Sequence, residues 1–150
     1  SYVANSVKIP VVHLIDLVIN KVSAENNTVH NIGLLGSNTI IKTRLYTDKF
    51  AQKGIRVVYP DNAIQEGLFH IIRRVKKGET GKNVRHEFFL IAKHLKEKGI
   101  ETAVLGCTEL GIIAENLPLT TIDAAEVLAQ EIVAVAKNKK LPHEESIKIE

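Results

Sequence analysis

Val104-Leu105-Gly106-Cys107-Thr108-Glu109-Leu110 is the stretch whose reading decides the fold. A short apolar run, Thr102-Ala103-Val104-Leu105, stops at a glycine, and the only cysteine of the chain follows at once. A threonine and a glutamate then lead into a helix-like segment. Strand, turn and helix in that order put a thiol and a carboxylate at the carboxyl edge of a sheet, where open α/β folds build their sites.

The segments on either side repeat this alternation. Upstream, Phe88, Ile91, Ala92 and Leu95 form the buried stripe of a helix over residues 83–98, which Gly99 closes. Before it, Leu68, Ile71, Ile72 and Val75 recur at i, i+3, i+4 and i+7, and Asn62 with Gln65 three residues on reads as the capping box of that helix. Ile55-Arg56-Val57-Val58-Tyr59 is a strand, preceded by Gly54 and a helix over residues 40–53 that uses Ile41, Leu45, Tyr46 and Phe50. Asn31-Ile32-Gly33-Leu34-Leu35-Gly36 is another strand. Val11-Val12-His13-Leu14-Ile15 reads as a buried β-branched strand, with Asp16 capping a helix to about residue 20. Residues 1–7 read as the end of a helix, and residues 23–30 as a polar linker.

Downstream, a short helix over residues 110–115 gives way to Pro118 and a small strand at Thr121-Ile122. Asp123 with Glu126 makes a second capping box, opening a helix over residues 124–137. That helix is apolar on more than one stripe and needs a sizeable partner. Residues 138–150 are a charged tail. The pattern predicts an α/β fold with a parallel four-stranded sheet flanked by helices.

Bulk properties narrow the function. The chain has 150 residues, 45% apolar and 25% charged, an ordinary globular mixture for one domain. A single cysteine forms no internal disulfide. No run approaches the roughly 18–20 apolar residues of a membrane span, and residues 1–10 lack a signal-peptide layout, so a soluble, cytoplasmic protein without a membrane partner is expected. Between positions 42 and 98 lie fourteen of the twenty Lys/Arg but six of the seventeen Asp/Glu, giving +8 there and −5 elsewhere. Solvated helix faces account for such a middle, and an anion is its alternative reading. Without tryptophan or aromatic–basic interleaving there is no base-stacking platform, which argues against nucleic acid.

Two stretches carry chemistry. Cys107 lies past a strand at the mouth of a helix, where backbone N–H groups favour a thiolate and Glu109 opposes it; the alternative is a small buried hydrophobe. Ser37, Asn38 and Thr39, with Thr43 one turn on, follow a strand glycine at a helix start and suit a carboxylate or phosphate, N-capping being the plainer use. Both stretches follow strands of one parallel sheet and are expected to open on the same edge. No metal site is expected: the six histidines are isolated, and His13 reads as a core residue. No P-loop or dinucleotide glycine fingerprint occurs. Arg73-Arg74-Val75-Lys76-Lys77 compensates a helix C-terminus, with an anion contact by one lysine as the alternative.

Leu105-Gly106-Cys107-Thr108-Glu109-Leu110 closely resembles the second catalytic cysteine motif of the cofactor-independent aspartate/glutamate racemase superfamily. Leu34-Leu35-Gly36-Ser37 with Leu45-Tyr46, Ile9-Pro10-Val11-Val12-His13 and Thr121-Ile122-Asp123 support the resemblance, which runs to about residue 137. It implies racemisation of a small amino acid, aspartate or glutamate, by two thiols on opposite faces of the α-carbon, with no pyridoxal phosphate and no metal. It makes Cys107 one acid/base thiol, with Glu109 supporting the site. Thr108 and Ser37 would bind substrate, Thr39 and Thr43 flank them, and Lys76 or Lys77 would face a side-chain carboxylate.

Two departures from the family pattern stand out. The threonine expected three residues after Ser37 is Ile40 here. The first catalytic cysteine, in a Cys-Asn-Thr or Cys-Asn-Ser motif, is expected a few residues before Ser1. The resemblance therefore implies the C-terminal portion of a two-domain enzyme. Residues 1–30 would be a remnant of the first domain and residues 31–118 a complete second one, with residues 119–137 returning toward the first. The apolar helix would then pack on the Val11 strand, on a second copy in a homodimer, or on a missing N-terminal half. Maleate isomerase, hydantoin racemase and arylmalonate decarboxylase chemistry are the enzymatic alternatives, and a catalytically inactive anion- or protein-binding module is the non-enzymatic one.

Overall fold

Four strands form one parallel sheet in a computed structural model that describes residue 6 and residues 11–25 and 29–137. The strands are β1 (Asn31–Leu35), β2 (Arg56–Val58), β3 (Thr102–Leu105) and β4 (Thr120–Asp123), in the spatial order β2-β1-β3-β4. The helices are α1 (Leu14–Glu25), α2 (Asn38–Thr43), α3 (Leu45–Ala51), α4 (Asn62–Lys76), α5 (Lys82–Glu97), α6 (Thr108–Gly111) and α7 (Ala124–Ala136). The expected helix end within residues 1–7, the Ile9-Pro10 lead-in, Asn26-Asn27 of the linker and the tail over residues 138–150 lie outside the described residues.

Both faces of the sheet are covered, as a parallel sheet requires. Side chains alternate along each strand with period two. Leu35, Ala103 and Leu105 face one apolar cluster with Leu68, Ile72, Val84, Phe88, Leu95, Leu110 and Ile113 of α4, α5 and the α6 region. Ile32, Leu34, Val104 and Ile122 face the other, filled by Val18, Ile19 and Val22 of α1, Tyr46 and Phe50 of α3, and Val127 of α7. Gly33 sits where a Cβ would come within 3.0 Å of Ala103 and Leu95, so α5 packs directly on the strand backbone there.

The helical stripes read from the sequence bury as expected on α4 and α5. Three expectations change. Leu14 and Ile15 are not a strand but the first turn of α1, and Asp16 lies inside that turn, ion-paired with Lys49, instead of capping it. The fourth strand is Thr120–Asp123, where the small strand at Thr121-Ile122 was expected. His13 is exposed and pairs with Asp16 at 3.4 Å, so it is no core residue. The helix expected over residues 40–53 is two, broken at Arg44, whose φ of 54° is left-handed. Just before the break, the Thr43 hydroxyl donates to the carbonyls of Thr39 and Ile40, competing with the backbone ladder.

The capping boxes also differ. Asp61 is the N-cap of α4, and Gln65 points into the structure. Asp123 does cap α7, accepting from the Ala125 N–H at 2.8 Å, but Glu126 accepts from Gln130 and not from the cap. α7 packs on α1, and the side away from it leaves Ile132 and Val133 about half exposed. Val18 is fully buried beneath this helix layer. Val18→Asp is expected to cost at least about 3 kcal/mol, as an unpaired buried charge does. Urea unfolding followed by circular dichroism checks it, with aggregation rising as the apolar side of α7 is uncovered.

Candidate active site

The strand order reverses direction between β1 and β3. After β1 the chain turns to α2 and α3, with Tyr46 and Phe50 in one cluster; after β3 it turns to α6, with Leu110 in the other. That divergence opens a crevice beyond the carboxyl ends of the two strands, the usual place for a site in a doubly wound sheet. The β1–β3 ladder runs to Leu35 opposite Leu105, and the Gly106 N–H donates to the Leu35 carbonyl at 2.8 Å, one residue past the strand. The two turns thus abut: a Cβ on Gly36 would lie 3.8 Å from the Gly106 backbone and 2.9 Å from Ile40. The turns that bear Ser37 and Cys107 thus leave the same sheet edge, as the sequence led one to expect.

Cys107 is the N-cap of the one-turn helix α6, in extended conformation. It is half-buried against the α4–α5 cluster, and its Sγ donates to Glu109 Oε2 at 3.1 Å. Lys76, at the end of α4, brings its Nζ to 3.5 Å from the other oxygen, Oε1. The three form a row: thiol, carboxylate, ammonium. Lys77 is the C-cap of α4 and points to solvent, so of the two lysines it is Lys76 that reaches the carboxylate.

The electrostatics favour a neutral thiol. Burial, then the hydrogen bond and charge of Glu109, push the Cys107 thiol up to about 11, while Lys76 pulls the other way. The sequence suggested that a helix mouth would favour thiolate; α6 is too short to outweigh those two effects. Glu109 is pushed up by its own partial burial. The Cys107 hydrogen bond, its own backbone N–H and Lys76 together outweigh this and hold its carboxyl below the ordinary value. At neutral pH the pair is therefore thiol plus carboxylate.

Ser37 is the N-cap of α2, in extended conformation, yet its hydroxyl makes no capping bond. Thr108 and Thr39 are exposed. Thr43 is exposed too, with its hydroxyl spent on carbonyls of its own helix. A cleft of about 530 Å³ beside this turn is lined by Asn38, Lys42, Asn62 and Gln65. A second, of about 320 Å³, lies along β4 and α7 by Asp123 and Gly111. Neither is lined by Cys107. Of the basic cluster, Arg74 is committed to Glu79 and Glu87, and Arg73 lies over the Phe69 ring. Among the described residues no three His, Cys, Asp or Glu side chains gather as metal ligands, and no helix is long and apolar enough to cross a membrane.

One participant escaped the sequence reading. Gln65 is buried and donates to the Gly36 carbonyl at 2.9 Å and to Asn38 Oδ1 at 3.0 Å. Its signal was a lone amide three residues before Leu68, on the apolar stripe itself.

A thiol–carboxylate pair at the switch point of a parallel sheet defines a class of α/β protein suited to proton transfer. The Asp/Glu/hydantoin racemase profile matches residues 2–132, and the chain belongs to that family. A glutamate racemase of Caldanaerobacter subterraneus subsp. tengcongensis is 30% identical over 121 residues, covering 75% of this chain and 43% of that protein. An aspartate racemase homologue from Pyrococcus horikoshii OT3 superposes with a TM-score of 0.77 at 29% identity, covering 91% of this chain and 60% of its own. An uncharacterised protein of Pectobacterium carotovorum subsp. carotovorum is 29% identical over 126 residues, covering 81% of this chain and 82% of its own length. This chain thus spans about half the length of its racemase relatives.

Alkylation of Cys107 by iodoacetamide reads the row directly. The rate is expected to keep rising past pH 9, because thiolate is the reactive form. Glu109→Gln removes the negative charge and leaves a neutral amide beside the sulfur, lowers the thiol pKa and speeds alkylation at pH 8 about tenfold. Lys76→Ala slows it. The pair's contribution to stability is in place below pH 9.0, the ordinary thiol value, and fades as pH rises through about 11.

Proposed function

We propose that this chain carries one acid/base half of an amino-acid racemase site of the aspartate/glutamate type, working without cofactor or metal. The observation that carries the reading is the Cys107–Glu109 hydrogen bond beside the uncapped Ser37 hydroxyl, at the junction of β1 and β3.

In this reading Cys107 as a thiolate takes the proton from one face of the substrate α-carbon, and as the resulting thiol gives a proton back to that same face. The thiolate stands beside the Glu109 carboxylate, a like-charge pair that Lys76 offsets. A substrate ammonium group adds a second positive charge facing Glu109. Negative charge spreading onto the substrate carboxylate in the transition state is met by the Ser37 and Thr108 hydroxyls. Thr39 and Thr43 shape the turn that presents Ser37. Lys76, with Lys77 next to it, supplies positive charge toward an acidic side chain. Residues 31–118 make up the unit that bears these groups.

One thiol serves one face. Inversion needs an opposing thiol from a second copy or from another polypeptide segment. The relatives named a glutamate racemase and an aspartate racemase homologue support the substrate class. Hydantoins are the competing substrates within the family description, and the Glu109 carboxylate favours an ammonium-bearing substrate over a neutral ring. An anion-binding module draws less support, since Arg74 and Arg44 are already paired with carboxylates.

Proton NMR in deuterium oxide tests the reading with aspartate, glutamate and a 5-substituted hydantoin. The expected result is α-deuteration of an amino acid without inversion, lost by at least about 100-fold in Cys107→Ala. Ser37→Ala is expected to raise KM about tenfold, the cost of one hydrogen bond to a charged group. Exchange that survives Cys107→Ala sinks the proposal.

A further inference from the structure

Among the described residues Gln65 is, beside the Tyr46 phenol, the one buried polar side chain, 6% exposed. It occupies a stripe position of α4 in line with Leu68, Ile72 and Val75, where an apolar side chain would pack without polar cost. Its Oε1 is buried with no partner. An unmade acceptor weakens the fold, so stability does not explain the amide. What the amide does is reach across to the turn after β1. Nε2 donates to both the Gly36 carbonyl and Asn38 Oδ1, and Asn38 Nδ2 passes the chain on to Glu66 Oε1 at 3.2 Å.

The turn needs such a tie. α2, which starts there, is six residues long, buries no side chain and has no side-chain cap. Its packing is limited to the partly buried Ile40, and no side chain caps it. In most helices a serine at the N-cap would spend its hydroxyl on the first-turn N–H groups. Here that hydroxyl is left unspent.

We infer that Gln65 is a positioning residue: from the neighbouring helix it ties down the start of α2, holding the Gly36-Ser37-Asn38 turn against Gly106 so that the Ser37 hydroxyl stays available to substrate. The assignment rests on the racemase reading for what Ser37 binds, but not for what holds the turn. Gln65 touches neither substrate nor Cys107. It acts on substrate binding and leaves the thiol alone.

The test uses the whole chain with Gln65→Met, which keeps the volume and removes both donors, and Leu68→Ala as a packing control on the same helix face. Amide hydrogen exchange reads the turn through the Ile40 N–H, which bonds the Ser37 carbonyl at 3.0 Å, against the amides of β3. α-Deuteration kinetics read KM and kcat. In Gln65→Met the Ile40 amide is expected to exchange about tenfold faster with β3 unchanged. KM should rise about tenfold while kcat stays within about threefold, and the Cys107 alkylation profile should not move. Leu68→Ala is expected to lower the melting temperature and speed exchange in β3, with KM in place. An unchanged Ile40 amide in Gln65→Met overturns the inference. So does faster exchange at Ile40 and β3 alike, or a looser turn with KM unmoved. If the native chain deuterates no amino acid, the racemase reading fails and the exchange of the Ile40 amide alone decides the role of Gln65.

Discussion

Everything in this protein that concerns chemistry depends on the parallel pairing of β1 with β3. The two strands lie far apart in sequence, and their register, Gly33 to Ala103 through Leu35 to Leu105, sets which residues leave the sheet together. A shift by one residue would exchange the faces of Leu34 and Leu35 and empty both apolar clusters. Because the register is held from both sides by packing, the two glycines that end the strands meet, with the Ile40 side chain packed against both. The turns that bear Ser37 and Cys107 are neighbours as a consequence of core packing.

On that platform the balance of charge is decided by short-range terms. A cysteine at a helix start invites the expectation of a low pKa, yet α6 has only four residues and little dipole to offer. Half-burial of the sulfur and a carboxylate 3.1 Å away outweigh it. The outcome is a protonated thiol ready to donate and a carboxylate ready to accept. Among the described residues Lys76 is the cation that moderates the pair, and it comes from the far end of α4, whose first turn also supplies Gln65. A single helix thus touches both halves of the candidate site.

The second face of the sheet is organised differently. α1 and α7 cover β1, β3 and β4 together, and Asp16 at the start of α1 is tied to Lys49 of α3. The helix that the sequence marked as apolar all round buries Ala124 and Val127 and leaves Ile132 and Val133 open. Its hydrophobicity exceeds what the described residues cover, a surplus of the kind that marks contact surfaces.

Several of these features were legible in the chain itself. Periodicity gave α4 and α5 because an apolar stripe at 3.6-residue spacing has one sensible reading, and Gly-Cys-Thr-Glu after an apolar run fixed a strand–turn–thiol unit for the same local reason. Val11 to Ile15 misled, because a short β-branched run has no period long enough to tell a strand from a buried helix start. Gln65 misled too: three residues after Asn62 it fits a capping box, and only the approach of the Gly36 turn shows where its amide goes. The sequence by itself determined most of the elements, the class of sheet and the place of Cys107 just past a strand, all of which follow from local spacing. Tertiary structure alone decided which lysine meets Glu109, whether the thiol is neutral, and what holds Ser37 in place, because each depends on distances between residues that the chain keeps far apart.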